Sequence, residues 1–96
     1  MFSYKIFKMP KDTLVAVCDQ EILGKKFEND IIFEIKEDFY GGNNCGEDEL
    51  REILKDATII NAVGNKVIAF LVKENFVNKK GIIKIGDVLH AQVVTV

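Results

Sequence analysis

The sequence predicts an α+β domain: a small two-layer fold with an antiparallel or mixed sheet of about five to six strands and two helices on one face. Three observations lead there. Both ends of the chain alternate apolar and polar residues with the period of a half-buried strand. Two central segments place apolar residues at helical spacing. Short turn signals separate these segments, with no linker, repeat or low-complexity stretch.

Phe2, Tyr4 and Ile6 alternate with Ser3 and Lys5, a strand pattern. Met9-Pro10-Lys11-Asp12 is a turn. Leu14 to Cys18 is apolar on both faces, as in a central strand. Residues 2–8 and 13–18 therefore read as an antiparallel pair. Asp19 is placed to cap a short turn, Gln20 to Leu23, closed by Gly24. Ile31 to Lys36 is a third strand. Phe39 to Asn44 reads as a flexible glycine-rich loop with Tyr40 as an exposed aromatic.

Leu50, Ile53, Leu54 and Ala57 fall at i, i+3, i+4 and i+7, one buried helical stripe. Glu47, Asp48 and Glu49 in its first turn suit the helix dipole. Asn44 with Glu47 three positions on is a candidate capping box. Thr58-Ile59-Ile60 is β-branched and favours a strand, although Ile60 also extends the helical stripe. Gly64-Asn65 breaks the chain. Val67, Ile68, Phe70, Leu71 and Val72 then wrap a second, deeply buried helix almost all round. Asn78 to Gly81 is a turn. Ile82 to Ile85 and Val88 to Val96 flank Gly86-Asp87, a primed-turn hairpin that sets Ile83 opposite His90 and Ile85 opposite Val88.

Composition excludes several classes. The 96 residues are read as a single domain, 1–96. A hydrophobic share of 48% with a net charge of −2 is globular and gives no support to a general polyanion binder. No apolar run is long enough to span a membrane. The start lacks the charged-then-apolar order of a signal peptide. Cys18 and Cys45 have neither redox nor zinc spacing, so a free buried Cys18 and a cytoplasmic location are expected. One histidine and two distant cysteines match no metal site, and the carboxylates form no calcium loop. No cofactor is implied.

The candidate ligand site collects Cys18, Asp19, Lys25, Asn61, His90 and Gln92. His90 alternates in phase with Gln92, so both leave the same face of the last strand. An imidazole beside an amide can bind a ligand or move a proton; the structural alternative is packing against Ile83. Cys18-Asp19 ends a buried strand, and a thiolate there would need Lys25 or His90 nearby. The alternative is a core cysteine, a capping Asp and solvated lysines. At the first helix start, Glu47, Asp48 and Glu49 repel phosphate. Asn61, Gly64, Asn65 and Lys66, at the second start without a neighbouring acid, make the better anion site.

Charge is segmental. Residues 28–49 carry Glu28, Asp30, Glu34, Glu37, Asp38, Glu47, Asp48 and Glu49 against Lys36, a net of −7. Residues 66–84 carry Lys66, Lys73, Lys79, Lys80 and Lys84 against Glu74, a net of +4. Such a dipolar chain suits a complementary partner, or has two solvated faces.

Four motifs stand in order across nearly the whole chain: Ala16-Val17-Cys18-Asp19 with Glu21 and Leu23-Gly24-Lys25; Phe39-Tyr40-Gly41-Gly42; Ala57-Thr58-Ile59 with Asn61 and Val63-Gly64; Ile85-Gly86 with Val88 and His90-Ala91-Gln92. The succession resembles the small archaeal family of domain of unknown function 424. Leu89 departs from it, standing where the family pattern has proline. The resemblance implies an archaeal, cytosolic protein with a loose association to translation genes, and no established activity. It marks Cys18, Asp19, Gly24, Lys25, Tyr40, Gly41, Gly42, Asn61, Gly64, His90 and Gln92 as motif positions.

Three functions follow as expectations. The first is a non-catalytic module linked to translation, contacting RNA or a ribosome-associated protein; Lys66, Lys79, Lys80 and Lys84 would meet phosphate and Tyr40 would stack on a base. The second is a small enzyme or small-ligand binder using Cys18, Asp19, His90 and Gln92. The third is a protein-binding subunit using the acidic 28–49 segment.

Overall fold

The computed structural model describes residues 1–28 and 32–95. The first alternating segment forms β1 (Phe2–Lys8), which pairs antiparallel with β2 (Thr13–Asp19), Phe2 opposite Asp19 and Lys8 opposite Thr13. A single 3-10 turn, Gln20–Ile22, follows. β3 (Lys26–Glu28) then pairs with β4 (Ile32–Glu34) in a separate two-stranded ribbon. The expected third strand, 31–36, is thus shorter than its apolar pattern suggested, and Ile31 lies outside the described residues.

The expected flexible loop at 39–44 is replaced by structure. Its start closes a short helix, α1 (Glu37–Tyr40), and its end is an edge strand, β5 (Asn43–Cys45), paired with β1. Gly41 joins them because a Cβ there would meet the Glu37 carbonyl oxygen at 2.6 Å. α2 (Glu47–Lys55) buries Leu50 and Leu54 of the expected stripe; Ile53 is half-buried, and Ala57 lies beyond the end of the helix. Its N-cap is Gly46, with no side-chain cap, because Asn44 is drawn into β5. The Asn44–Glu47 capping box therefore does not form.

β6 (Ile59–Val63) settles the ambiguous 57–63 stretch as strand, and it runs parallel to β2. Thr58 fixes that pairing at its base. Its hydroxyl accepts the Thr13 N–H at 2.9 Å and donates to Asp12 Oδ1 at 3.0 Å. α3 (Asn65–Lys73) buries Val67, Ile68, Phe70 and Leu71. After a 3-10 turn at Lys79–Gly81 come β7 (Ile82–Ile85) and β8 (Val88–Val94), with Ile83 opposite His90 and Ile85 opposite Val88, as the two-residue turn requires.

The six-stranded mixed sheet has the order β5-β1-β2-β6-β8-β7, with β2–β6 its parallel pair. The fold is α+β. α2 and α3 cover one face, packing Leu50, Leu54, Phe70 and Leu71 on Val15, Val17, Ile60 and Ala62. Burial of each of the larger of these side chains, the Val, Leu, Ile and Phe residues, stabilises the fold by roughly 1.5–3 kcal/mol. The other face carries Ala16, Cys18, Val63 and Val88, packed under Ile35, Tyr40 and the ribbon's Phe27 and Phe33. The ribbon thus adds cover to the face that the two-helix picture left bare.

Candidate functional site

The parallel β2 and β6 bring the ends of both strands to the start of α3. Strand alternation sends Cys18 and Asp19 to opposite faces. Asp19, 3% exposed, faces the helices. Its carboxylate accepts the N–H of Lys66 at 2.9 Å and of Val67 at 2.7 Å, so it caps α3 across 47 and 48 residues of chain. It makes no side-chain cap on the turn that follows it, where the local sequence had placed its role. Gly64 makes this possible: its φ is +128° and a Cβ would lie 2.5 Å from Asp19 Cγ. Burial raises the Asp19 pKa, and the two amides pull against that rise. The anion site expected around Asn61, Gly64, Asn65 and Lys66 is corrected accordingly. The protein's own carboxylate already holds those amides.

Cys18 is fully buried on the ribbon face beside Ala16, Val63 and Tyr40. Burial, with the Asp19 charge second, pushes its thiol up to about 12. Cys18, Val63 and His90 lie in one cross-strand row, so Val63 separates thiol from imidazole. Two strand spacings make about 10 Å between the backbones. A nucleophile–base pair of Cys18 and His90 is therefore not assembled, and Asp19 lies on the far side of the sheet. Lys25 sits in the loop after Gly24, exposed, its backbone bonded to Ile22 and Ile35.

What does converge is Tyr40, Asn61 and His90. Tyr40, expected to be exposed, is 4% exposed. Its hydroxyl donates to Asn61 Oδ1 at 2.6 Å, and its carbonyl accepts the Ser3 hydroxyl at 3.0 Å. Burial, with Cys18 second, pushes its phenol up to about 12. His90 Nε2 lies 3.3 Å from the same Asn61 Oδ1. That oxygen carries no hydrogen, so the network assigns the proton to Nε2 and leaves Nδ1 an acceptor. Burial lowers the His90 pKa and keeps the ring neutral near pH 7. Phe33 meets the ring edge-on, centroids 6.0 Å apart. Gln92, opposite Asn61, is exposed at the open side of this cluster. The Tyr40–Asn61 bond joins residues 21 apart and had no local signal; only the unexplained asparagine in an apolar strand hinted at it.

The lysines lie elsewhere, on and beside α3. Lys66 pairs with Glu21 at 2.8 Å and Lys73 with Glu47 at 3.1 Å. Among the described residues Lys79, Lys80 and Lys84 make no ion pair. A shallow groove of about 540 Å³ runs between α3 and the last hairpin. Ile68, Ala69, Val72, Ile82 and Leu89 form its floor, with Asn65, Lys73 and Lys79 at its rim. A second depression joins Lys66 to Lys73 past Ala69. Asn65 holds the hairpin against α3: its Oδ1 accepts the Leu89 N–H at 3.0 Å and its Nδ2 donates to the Asp87 carbonyl at 3.2 Å. Leu89 thus uses an N–H that a proline would lack.

The acidic stretch is divided. Glu34, Glu37 and Asp38 line a hollow on the ribbon side, whereas Glu47 and Asp48 begin α2 and pair with Lys73 and Arg51. Among the described residues no group of three or more His, Cys, Asp or Glu side chains could hold a metal ion, and no helix is long and apolar enough to cross a membrane.

The fold has a solved counterpart. An uncharacterized conserved protein from Methanopyrus kandleri, known from its crystal structure, is similar with a TM-score of 0.80 and 22% identity, over 99% of this chain and 93% of that one. No curated protein matches the sequence. Residues 7–96 match the family described as protein of unknown function (DUF424), and the chain belongs to that family.

Proposed function

We propose that the chain is a non-catalytic binding module, linked to translation in an archaeal cytoplasm, that docks an acidic segment of a ribosome-associated protein along α3. The observation that carries this is the groove beside α3, apolar in its floor and lysine-lined at its rim. Apolar side chains of a partner would fill the floor while its carboxylates meet Lys79, which carries no ion pair among the described residues. An RNA partner fits less well. The aromatic that would have stacked, Tyr40, is buried, and Lys66, one of the four lysines expected to meet phosphate, already faces Glu21. Catalysis has little support: the thiol is buried and protonated, and Asp19 is committed to backbone. The cytoplasmic placement rests on two free, buried cysteines. The link to translation rests on the family resemblance.

Affinity capture from archaeal lysate, with and without ribonuclease, tests the proposal. Ribonuclease-resistant recovery of one stoichiometric protein is expected, weakening as salt rises. Recovery that vanishes with ribonuclease, or no recovery at all, contradicts it.

A further inference from the structure

The six-stranded sheet ends at β7, and we propose that its open edge takes an extended acidic segment of a partner protein as an added strand. This rests on the acidic partner proposed above and adds how its backbone is held. Gly86, with φ +62°, and Asp87 close a two-residue turn, so Ile85 and Val88 exchange both backbone hydrogen bonds. Alternation makes Ile83–His90 the next bonded pair and Lys84–Leu89 an unbonded one. The Leu89 groups agree. Its carbonyl accepts the Gly64 N–H at 2.9 Å and its N–H donates to Asn65 Oδ1 at 3.0 Å, both away from β7. The Lys84 N–H and carbonyl therefore point out of the sheet edge, as does the Ile82 carbonyl. The Ile82 N–H already donates to the Lys79 carbonyl. Among the described residues no strand pairs with β7 on that side. The outward groups of Ile82 and Lys84 are thus a short template for a partner's backbone.

Charge around this edge selects the occupant. Residues 79–87 carry Lys79, Lys80 and Lys84 against Asp87. The three lysines are exposed and make no ion pair among the described residues. A second copy pairing edge to edge would set these lysines against their own kind, which disfavours self-association. An acidic strand meets the opposite sign. Strand alternation then prescribes its pattern. Lys84 shares the α3 side of the hairpin with Ile82, whereas Ile83 and Ile85 lie on the ribbon side with His90 and Val88. Carboxylates sit opposite Lys84, on the side of Lys79, and apolar side chains cover Ile83, which is 55% exposed. The segment therefore alternates acidic and apolar residues. The other outer strand, β5, spans only Asn43–Cys45 and leads into Glu47, Asp48 and Glu49, which repel such a segment.

Amide hydrogen exchange read by NMR on the intact chain tests the proposal. In the free protein the Lys84 amide should exchange fast, and those of Ile83 and Ile85 slowly. The probe is a short capped peptide of alternating glutamate and valine, titrated to about four times a dissociation constant of about 1 mM. It should slow Lys84 exchange about fivefold, and the same peptide with lysine for glutamate should not. Two further peptides carry N-methyl groups on the glutamates alone or on the valines alone. One should lose the effect and the other keep it, according to strand direction. Lys84→Gln removes only the charge and should weaken binding several-fold. Lys84→Pro also removes the outward N–H while leaving the bonds to β8, and should weaken it at least tenfold, both read from the Ile83 and Ile85 amide shifts. No slowing at Lys84, equal slowing by the lysine peptide, or slowing kept by both methylated peptides would overturn the proposal. So would equal binding by the two variants, or a Lys84 amide already protected in the free protein. Lys84 protection with no partner recovered from lysate keeps the edge and removes the groove reading. A lysate partner lost on Ala69→Arg, without Lys84 protection by the peptide, does the reverse.

Discussion

The carboxylate of Asp19 occupies the space that a side chain at Gly64 would need, with only 2.5 Å between its Cγ and a Cβ built there. Asp19→Ala leaves the Lys66 and Val67 amides without their acceptor and should cost about 1–3 kcal/mol. Gly64→Ala adds backbone strain at φ +128° to the clash, a further cost of about 2–4 kcal/mol. In the Asp19→Ala background the clash is gone, so the double variant should lose less than the two single losses together. Urea unfolding measures all three. Strict additivity would show that the two residues do not meet.

This contact also marks what local sequence could reveal. Asp19 was legible as a capping residue, because aspartate after a buried strand suits a helix start. Which helix it caps was not, since the parallel β2–β6 pairing that brings α3 to it joins distant segments. The helical stripe of Leu50 and Leu54 and the Gly86-Asp87 hairpin are local, and both formed as read. Tyr40 misled for the same reason in reverse. Beside two glycines it looked like a loop aromatic, whereas α1 folds it under the ribbon onto Asn61. His90 and Gln92 were legible as polar residues on one strand face, whereas Asn61 was read at the start of the second helix; only the tertiary fold puts Asn61 and Tyr40 beside His90 and removes Cys18 and Asp19.

Histidine titration should shape stability near neutrality. Burial holds His90 below its ordinary value of 6.5. Between the two values the unfolded chain binds more protons than the folded one. Stability is therefore full above about pH 6.5 and falls as pH drops through the depressed folded value. His90→Gln should flatten that part of the curve in unfolding measured from pH 5 to 8. An unchanged slope would show that His90 is not desolvated.

Both thiols should be silent in the native state. Cys18 and Cys45 are buried and free, and burial raises both, Cys18 to about 12. A chromogenic disulfide reagent at pH 8 should label neither until urea is added, then both. Rapid native labelling of Cys18 would revive a reactive thiol.

The Leu89 N–H donates to Asn65 Oδ1 at 3.0 Å. Leu89→Pro should cost about 1 kcal/mol through that lost bond, read by urea unfolding. A stabilised Leu89→Pro variant would show that the Asn65 contact contributes nothing.

The docking groove is tested most directly at Ala69, an exposed residue on α3 that touches no core. Ala69→Arg fills the groove and adds a positive charge without removing any buried group. Partner recovery in ribonuclease-treated lysate, with the variant's folding checked by urea unfolding, is the measurement. The account predicts that recovery drops at least tenfold while stability changes by less than about 0.5 kcal/mol. Undiminished recovery of the same protein by the folded variant would contradict it.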